Sequence, residues 1–172
     1  SRVDRDVLKG ILGDKEEDFE AFERAAEREF RYWAASKYCD TSHMQDFAGM
    51  QDLALRSVLE AGDVFVLRRF TQRPGARYGT CLQLVEADRI SNPDWTMDTP
   101  RLAGGVEKNA LGSPLAYHVL QAHPGDVRDP GSRQWVRLRA YDREGNWLVN
   151  HLARPTRVGM TRPAPYLAPV IE

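Results

Sequence analysis

The chain has 172 residues, of which 42% are hydrophobic and 28% are charged, a balance typical of globular domains. This length is enough to bury a core without disulfides or metals. Its 24 Lys and Arg residues nearly cancel its 25 Asp and Glu residues. The formal net charge of -1 therefore argues against a dedicated nucleic-acid surface, although it leaves room for a local basic patch.

Two cysteines, Cys39 and Cys81, are too few for a disulfide framework. We expect both to be buried small side chains in a protein made in a reducing compartment, and we predict no redox pair. No apolar run has the length of a membrane span, and no signal-peptide pattern opens the sequence. The sequence begins at Ser1 rather than at a methionine and stops just after an apolar run, so we expect a piece of a longer polypeptide.

Two amphipathic helices are predicted in the first third of the chain. Over residues 14–38, apolar side chains recur at spacings of three and four. Residues 44–61 repeat this pattern, with Ser42 and Gln45 as a candidate capping box at the start. Gly62 is placed to end the second helix, because glycine readily adopts the left-handed conformation found there.

From Asp63 onward the pattern becomes that of strands joined by turns. A compact apolar run over 64–67 and an alternating run over 80–86 predict a first hairpin. Residues 105–108 with 115–121, and 135–140 with 147–152, predict a second and a third hairpin. The fold class predicted is α+β, with two N-terminal helices followed by a mainly antiparallel sheet of about six strands.

We expect three regions within one compact domain of a longer protein. Residues 1–62 form the helical part that packs on the sheet, and residues 63–153 form the antiparallel β region. Residues 154–172 form a connection that leads toward a missing C-terminal part.

Sequence motifs of enzymes are absent from the chain. It contains no Gly-rich phosphate loop, no Gly-x-Gly-x-x-Gly, no His-Glu-x-x-His and no Cys-x-x-Cys. We therefore predict no catalytic, cofactor-binding or metal-binding residue, and no enzyme. Two alternatives stay open: a small α+β binding module, and a metal-dependent hydrolase that uses His118, His123 and Asp126. Strand positions five apart point to opposite faces, so structural roles are favoured for both histidines.

Arginines are concentrated in the last third of the chain, near aromatic residues. Such side chains stack on nucleic acid bases, and they are also enriched where subunits meet. We predict subunit-interface or DNA contacts for Arg137, Arg139, Arg154, Arg157 and Arg162. His151, on a predicted strand, is expected to be structural.

Several short motifs, in a fixed order, resemble one known family. In chain order they are Trp33-Ala34, Ala61-Gly62-Asp63-Val64-Phe65-Val66, residues 82–90, Gly105-Val106-Glu107, residues 112–120, His123-Pro124-Gly125-Asp126, and the stretch from Arg154-Pro155 to Ile171. This order resembles the lambda-like family of tailed-phage portal proteins over most of the chain. One departure is Pro163, where the family usually has glycine; this makes the connection after Arg162 stiffer.

The resemblance implies a structural role in the virion. Proteins of this family form a ring of about twelve identical subunits at one capsid vertex, and DNA enters and leaves through it. The partners implied are identical subunits, the major capsid or scaffold protein, terminase, the head-to-tail connector and double-stranded DNA, with no membrane and no cofactor. The matched segment would belong to the outer wing, with synthesis in the cytoplasm of the bacterial host and a phage or prophage origin.

Overall fold

The computed structural model describes residues 16–125 and 134–168. Within this part of the chain, two helices precede seven strands, which confirms the predicted α+β class with one strand more than expected. The elements are α1 (Glu16–Ala35), α2 (Phe47–Ala61), β1 (Asp63–Phe70), β2 (Thr80–Glu86), β3 (Leu102–Ala103), β4 (Val106–Lys108), β5 (Pro114–Leu120), β6 (Trp135–Arg139) and β7 (Val149–Ala153).

The first helix ends three residues before its predicted end. Ser36 adopts extended backbone, and its hydroxyl accepts a hydrogen bond from the Tyr38 amide, which starts a single 3₁₀ turn over Lys37–Cys39. A serine in this role competes with helix propagation, because its side chain satisfies an amide that a helix would otherwise use. Cys39 and Cys81 are both buried and unbonded, as predicted.

The second helix begins at Phe47, and the predicted capping box is wrong. Asp46 is the cap, and its carboxylate accepts a hydrogen bond of 2.8 Å from the Gly49 amide. The backbone amides of Ser42 and Gln45 instead donate to the buried carboxylate of Asp40, which fixes the link between the helices. The buried carboxylate of Asp40, seven residues before Phe47, thus takes the amides that the predicted capping box would have used, and the helix starts after Asp46.

The helix end at Gly62 is confirmed. Gly62 has φ of 93°, in the left-handed region that favours glycine, and its amide donates to the carbonyl of Val58. A Cβ at this position would also lie 2.5 Å from the carbonyl oxygen of Pro163. The terminal part of the chain therefore packs closely against the turn between α2 and β1.

The strands form two antiparallel sheets, with orders β2-β1-β7 and β3-β4-β5-β6. The first two predicted hairpins are confirmed by the β1–β2 and β4–β5 pairings. The third is wrong: β6 pairs with β5, and β7 crosses to the other sheet to pair with β1. The two segments that were expected to pair meet only beside their turn, through an isolated bridge between Tyr141 and Trp147 and through hydrogen bonds from the Leu148 and Val149 amides to the Ala140 carbonyl within the described residues.

Burial explains why β7 leaves its sequence neighbour. Pairing with β1 places Val149 opposite Leu67, and both side chains are buried in the core. A β6–β7 hairpin would leave that edge of β1 without a backbone partner. The core cluster consists of Phe65, Leu67, Val85, Ile90, Val106, Tyr117, Val119, Ala140 and Val149, drawn from both sheets. Burial of this apolar surface is the main favourable term that holds the sheets together.

Candidate functional site

Arg162 lies at a buried ionic centre where both sheets meet the terminal segment. Its Nε donates to Asp63 Oδ2 at 2.7 Å, and its Nη2 donates to Asp63 Oδ1 at 2.8 Å. The remaining donors reach the backbone carbonyls of Ile90, Ala87 and Gly104. All five N–H groups of the guanidinium thus have an acceptor, which is the full capacity of an arginine side chain.

Asp63 supplies the negative charge of this centre. It is the first residue of β1, and its side chain is only 1% exposed. Burial alone raises the pKa of this carboxyl, but hydrogen bonds from Arg162 and His151 outweigh burial and hold the pKa below its usual range. Asp63 is therefore ionised at neutral pH, and the centre is an ion pair in the interior of the protein.

His151 completes the centre from β7. Its Nε2 lies 2.9 Å from Asp63 Oδ2, and its ring stacks on Phe65 with centroids 4.2 Å apart. The Arg162 guanidinium lies over the same Phe65 ring at 5.3 Å. The expectation that His151 has a structural role agrees with this placement, because the ring joins the ionic centre to the aromatic core.

The terminal segment, residues 154–168, carries Arg162 and contacts both sheets. Besides the ionic centre, Lys108 Nζ of β4 donates to the Thr161 hydroxyl at 2.6 Å. Further on, the Leu167 amide donates to the carbonyl of Leu59 in α2. Pro163, which stands where the resemblance leads one to expect glycine, is buried between these contacts. The segment is thus attached to a helix and to both sheets.

A cleft of about 530 Å³ opens beside this segment. Its lining includes Lys108, Tyr117, His151 and Thr161. Since Lys108 and Thr161 are hydrogen-bonded to each other, the cleft wall is held by the same contacts that attach the terminal segment.

Sequence reasoning missed Asp63 and Glu107 as partners of arginines. A usable signal was present for Asp63, which directly precedes the apolar run Val64-Phe65-Val66-Leu67. A carboxylate at the start of a fully buried strand is rarely tolerated without a cation. Nothing in the sequence indicates which cation, because Arg162 is 99 residues away.

Arg137 is paired on the outer face of the second sheet. Its guanidinium makes two hydrogen bonds to Glu107, at 2.7 and 3.0 Å, and this pairing lowers the pKa of Glu107. His118 Nε2 lies 3.6 Å from the same carboxylate, and burial holds the pKa of His118 below its ordinary value. The three groups form an intramolecular cluster that neutralises most of the charge of Arg137.

The other predicted arginines occupy different environments. Arg139, Arg154 and Arg157 are exposed, and within the described residues they form no ion pair. The guanidinium of Arg154 lies over the Tyr166 ring at 5.6 Å. Arg162, by contrast, is fully engaged inside the chain, so we propose no surface contact for it.

The histidines proposed for a hydrolase lie in separate surroundings. His118 faces Glu107, whereas His123 Nε2 lies 3.5 Å from Glu86 and 3.8 Å from Asp88. Asp126, the third residue of that hypothesis, falls outside the described residues. Across 16–125 and 134–168, no group of three or more His, Cys, Asp or Glu side chains is arranged to hold a metal ion. The structure therefore does not bring the two histidines together.

Comparison with known proteins identifies the class of protein. Residues 3–172 match the family described as phage portal protein, lambda family. The chain belongs to this family of phage structural proteins, and the resemblance noted in the sequence is confirmed.

Two portal proteins show the extent of the similarity. The chain is 27% identical to "Portal protein B" of Escherichia phage lambda over 164 residues, which cover 94% of this chain and 30% of that protein. It is 28% identical to the "Probable portal protein" of Halomonas phage phiHAP-1 over 120 residues, which cover 68% of this chain and 23% of that protein. The chain thus spans less than a third of the length of either relative.

No helix in the described part of the chain combines the length and the apolarity that crossing a bilayer requires.

The ionised state of Asp63 predicts a specific dependence of stability on acid. Its pKa is lower in the folded than in the unfolded chain, so its contribution is present above the unfolded value of about 3.9 and is lost as pH falls through the folded pKa. Between pH 7 and pH 3, the free energy of unfolding should fall more steeply for the wild-type chain than for Asp63→Asn. Urea unfolding at a series of pH values measures both slopes.

The comparison between the two proteins isolates Asp63. Asp40, Glu107 and Asp142 also have lowered pKa values, but they are present in both proteins and cancel in the difference. Equal slopes for the two proteins would contradict the prediction.

Proposed function

We propose that this chain is a structural segment of a phage portal ring, through which DNA is packaged into the capsid and ejected from it. The observation that carries the proposal is the family match over residues 3–172. The named relatives are portal proteins, and the chain aligns with 23% and 30% of their length, as expected of one region of such a subunit.

The partners and location follow from this role. We propose that the full-length protein assembles with identical subunits into a ring of about twelve. It meets the major capsid or scaffold protein, and through parts outside this chain it meets terminase and the head-to-tail connector. Double-stranded DNA passes through the ring. The protein is made in the cytoplasm of a bacterial host and resides at the portal vertex of the virion.

The geometry supports a mechanical role in the outer wing. Arg162 connects the first residue of β1, the turns after β2 and the β3–β4 turn in a single set of hydrogen bonds. Such a fully satisfied buried network holds its members in one arrangement. A segment that must keep its shape while DNA moves through the assembly benefits from this rigidity, and this portal family is structural rather than enzymatic.

Exposed arginines supply the surface contacts in this proposal. Arg139, Arg154 and Arg157 remain available to another molecule, whereas Arg137 is largely neutralised by Glu107. Because the net charge of the chain is only -1, contacts between subunits account for these arginines better than a track along DNA phosphates does.

Assembly of the full-length protein tests the proposal. The product of the reading frame that contains this segment is purified, its native mass is measured, and the same sample is imaged by negative-stain electron microscopy. Closed rings of about a dozen subunits with a central channel are expected. A full-length product that stays monomeric across a wide range of concentrations would overturn the portal proposal.

A further inference from the structure

We propose that neighbouring copies dock head to tail through opposite edges of the β2-β1-β7 sheet, with Glu86 and Asp88 of one copy facing Arg154 and Arg157 of the next. This inference rests on the proposed ring. It goes further by naming the two surfaces that meet where neighbouring subunits touch, one acidic and one basic.

The acidic half lies at the end of β2, an edge strand of its sheet. The side chains of Glu86 and Asp88 are 69% and 71% exposed, with only His123 nearby among their ion-pair partners in the described chain. Within the described residues, neighbouring Arg89 forms no ion pair with either carboxylate, and its guanidinium donates to the carbonyls of Leu120 and Gln121. The two carboxylates therefore present negative charge at this edge.

The rest of the β2 edge is already covered within the chain. Trp33 Nε1 donates to the carbonyl of Thr80 at 2.8 Å, and the Thr41 amide donates to the carbonyl of Leu82 at 2.9 Å. Both of these hydrogen bonds lie at or before Leu82, so neither covers Glu86 at the end of the strand. We therefore place the contact with a second copy at the acidic end.

The basic half lies at the end of β7, the opposite edge strand of the same sheet. Arg154 directly follows the strand and Arg157 lies three residues further on, both exposed. The Arg154 guanidinium lies over the ring of Tyr166, which is itself 54% exposed. Arginine and tyrosine are, with tryptophan, the residue types enriched among the anchors of protein interfaces.

Strand direction places the two halves at the same end of the sheet. Both β2 and β7 run antiparallel to β1, and at the start of β1, Asp63 lies opposite Ala153 and Val64 lies opposite Glu86. A second copy placed beside the first in the same orientation therefore brings an acidic edge against a basic edge.

This arrangement is the one that a ring can repeat. A head-to-tail contact uses two different surfaces and closes into a ring when the rotation between copies permits. A twofold dimer centred on either charged end would instead oppose like charges, which disfavours it. Exposed charges of this kind set the register and speed of association more than the total affinity.

Charge reversal in the full-length protein tests the pairing. Glu86→Arg with Asp88→Arg, or Arg154→Glu with Arg157→Glu, should each reduce the fraction of protein in rings about tenfold at low salt, since like charges then face each other. A chain with all four reversals restores opposite charges across every contact and should recover rings. Arg24→Glu with Arg31→Glu is the control for the arginine pair, because it makes the same change in net charge as Arg154→Glu with Arg157→Glu, on exposed positions of α1.

The readouts are native mass and negative-stain images, with circular dichroism to verify the fold of each variant. Reduced assembly by both pairs, recovery by the fourfold reversal and an unaffected control would support the pairing. If the wild-type protein forms rings but neither pair reduces them, or if the fourfold reversal fails to recover them, this inference is overturned and the portal proposal stands. A wild-type protein that forms no rings overturns both.

Discussion

Arg162→Ala is expected to lower the free energy of unfolding by about 3–5 kcal/mol, since removal of one partner leaves the Asp63 carboxylate buried without its counter-charge. The same change removes the side-chain donors to three backbone carbonyls and so weakens the attachment of the terminal segment to both sheets. Urea unfolding of this chain at pH 7 measures the loss.

A matched arginine on the surface provides the control. Arg137→Ala also removes a two-bonded arginine–carboxylate pair, but Glu107 is more accessible to water, so a loss below about 1 kcal/mol is expected. The loss of stability caused by Arg162→Lys should fall between those of the two alanine variants. Lysine keeps the positive charge but lacks the planar guanidinium that donates two parallel hydrogen bonds to a carboxylate. Equal effects of Arg162→Ala and Arg137→Ala would show that the buried centre has no special role in stability.

Gly105→Ala is the second substitution with a large expected effect, about 2–5 kcal/mol of destabilisation. Gly105 has φ of +79°, and a Cβ there would lie 2.6 Å from the backbone nitrogen of Ser91 and 2.9 Å from the carbonyl carbon of Ile90. These are backbone atoms, so they cannot move aside as a flexible side chain would. Thermal and urea unfolding of the variant measure the cost.

Gly112→Ala separates the two contributions to this cost, which are the strain of a positive φ and the steric clash of the added Cβ. Gly112 has φ of +86°, nearly that of Gly105, but no atom lies within 4 Å of the Cβ position. It should therefore show only the conformational cost, about 1 kcal/mol. If both variants lost the same stability, the close approach of Ser91 and Ile90 to Gly105 would have no energetic consequence.

The ends of helices and strands could be predicted from the sequence where a single residue type determines the backbone conformation. Gly62 ends α2 as predicted, because the left-handed conformation is available there at little cost. The predicted bounds of β2, Thr80–Glu86, are those observed. The start of α2 was misjudged because two acceptors competed: Asp40 takes the amides near Ser42, and Asp46 caps the helix.

The candidate site was less predictable than the fold. The five arginines were predicted as one group of contact residues, but their environments differ in ways that spacing does not reveal. Arg137 is opposite His118 and bonded to Glu107, 30 residues earlier in the chain, whereas Arg154 and Arg157 stay exposed. Pairings of this kind depend on which strands become neighbours.

The sequence by itself determined the α+β class, the two helices, the first two hairpins and the membership of a phage portal family, because these follow from periodicity, turn residues and ordered motifs. Only the tertiary structure decided that β7 joins β1 and that Arg162 meets Asp63. The physical reason is that the core is built from side chains of the whole chain, so no local stretch of sequence shows which residues will be buried together. A strand edge or a buried charge takes whichever partner the assembled core brings to it, and that partner is here 88 or 99 residues away.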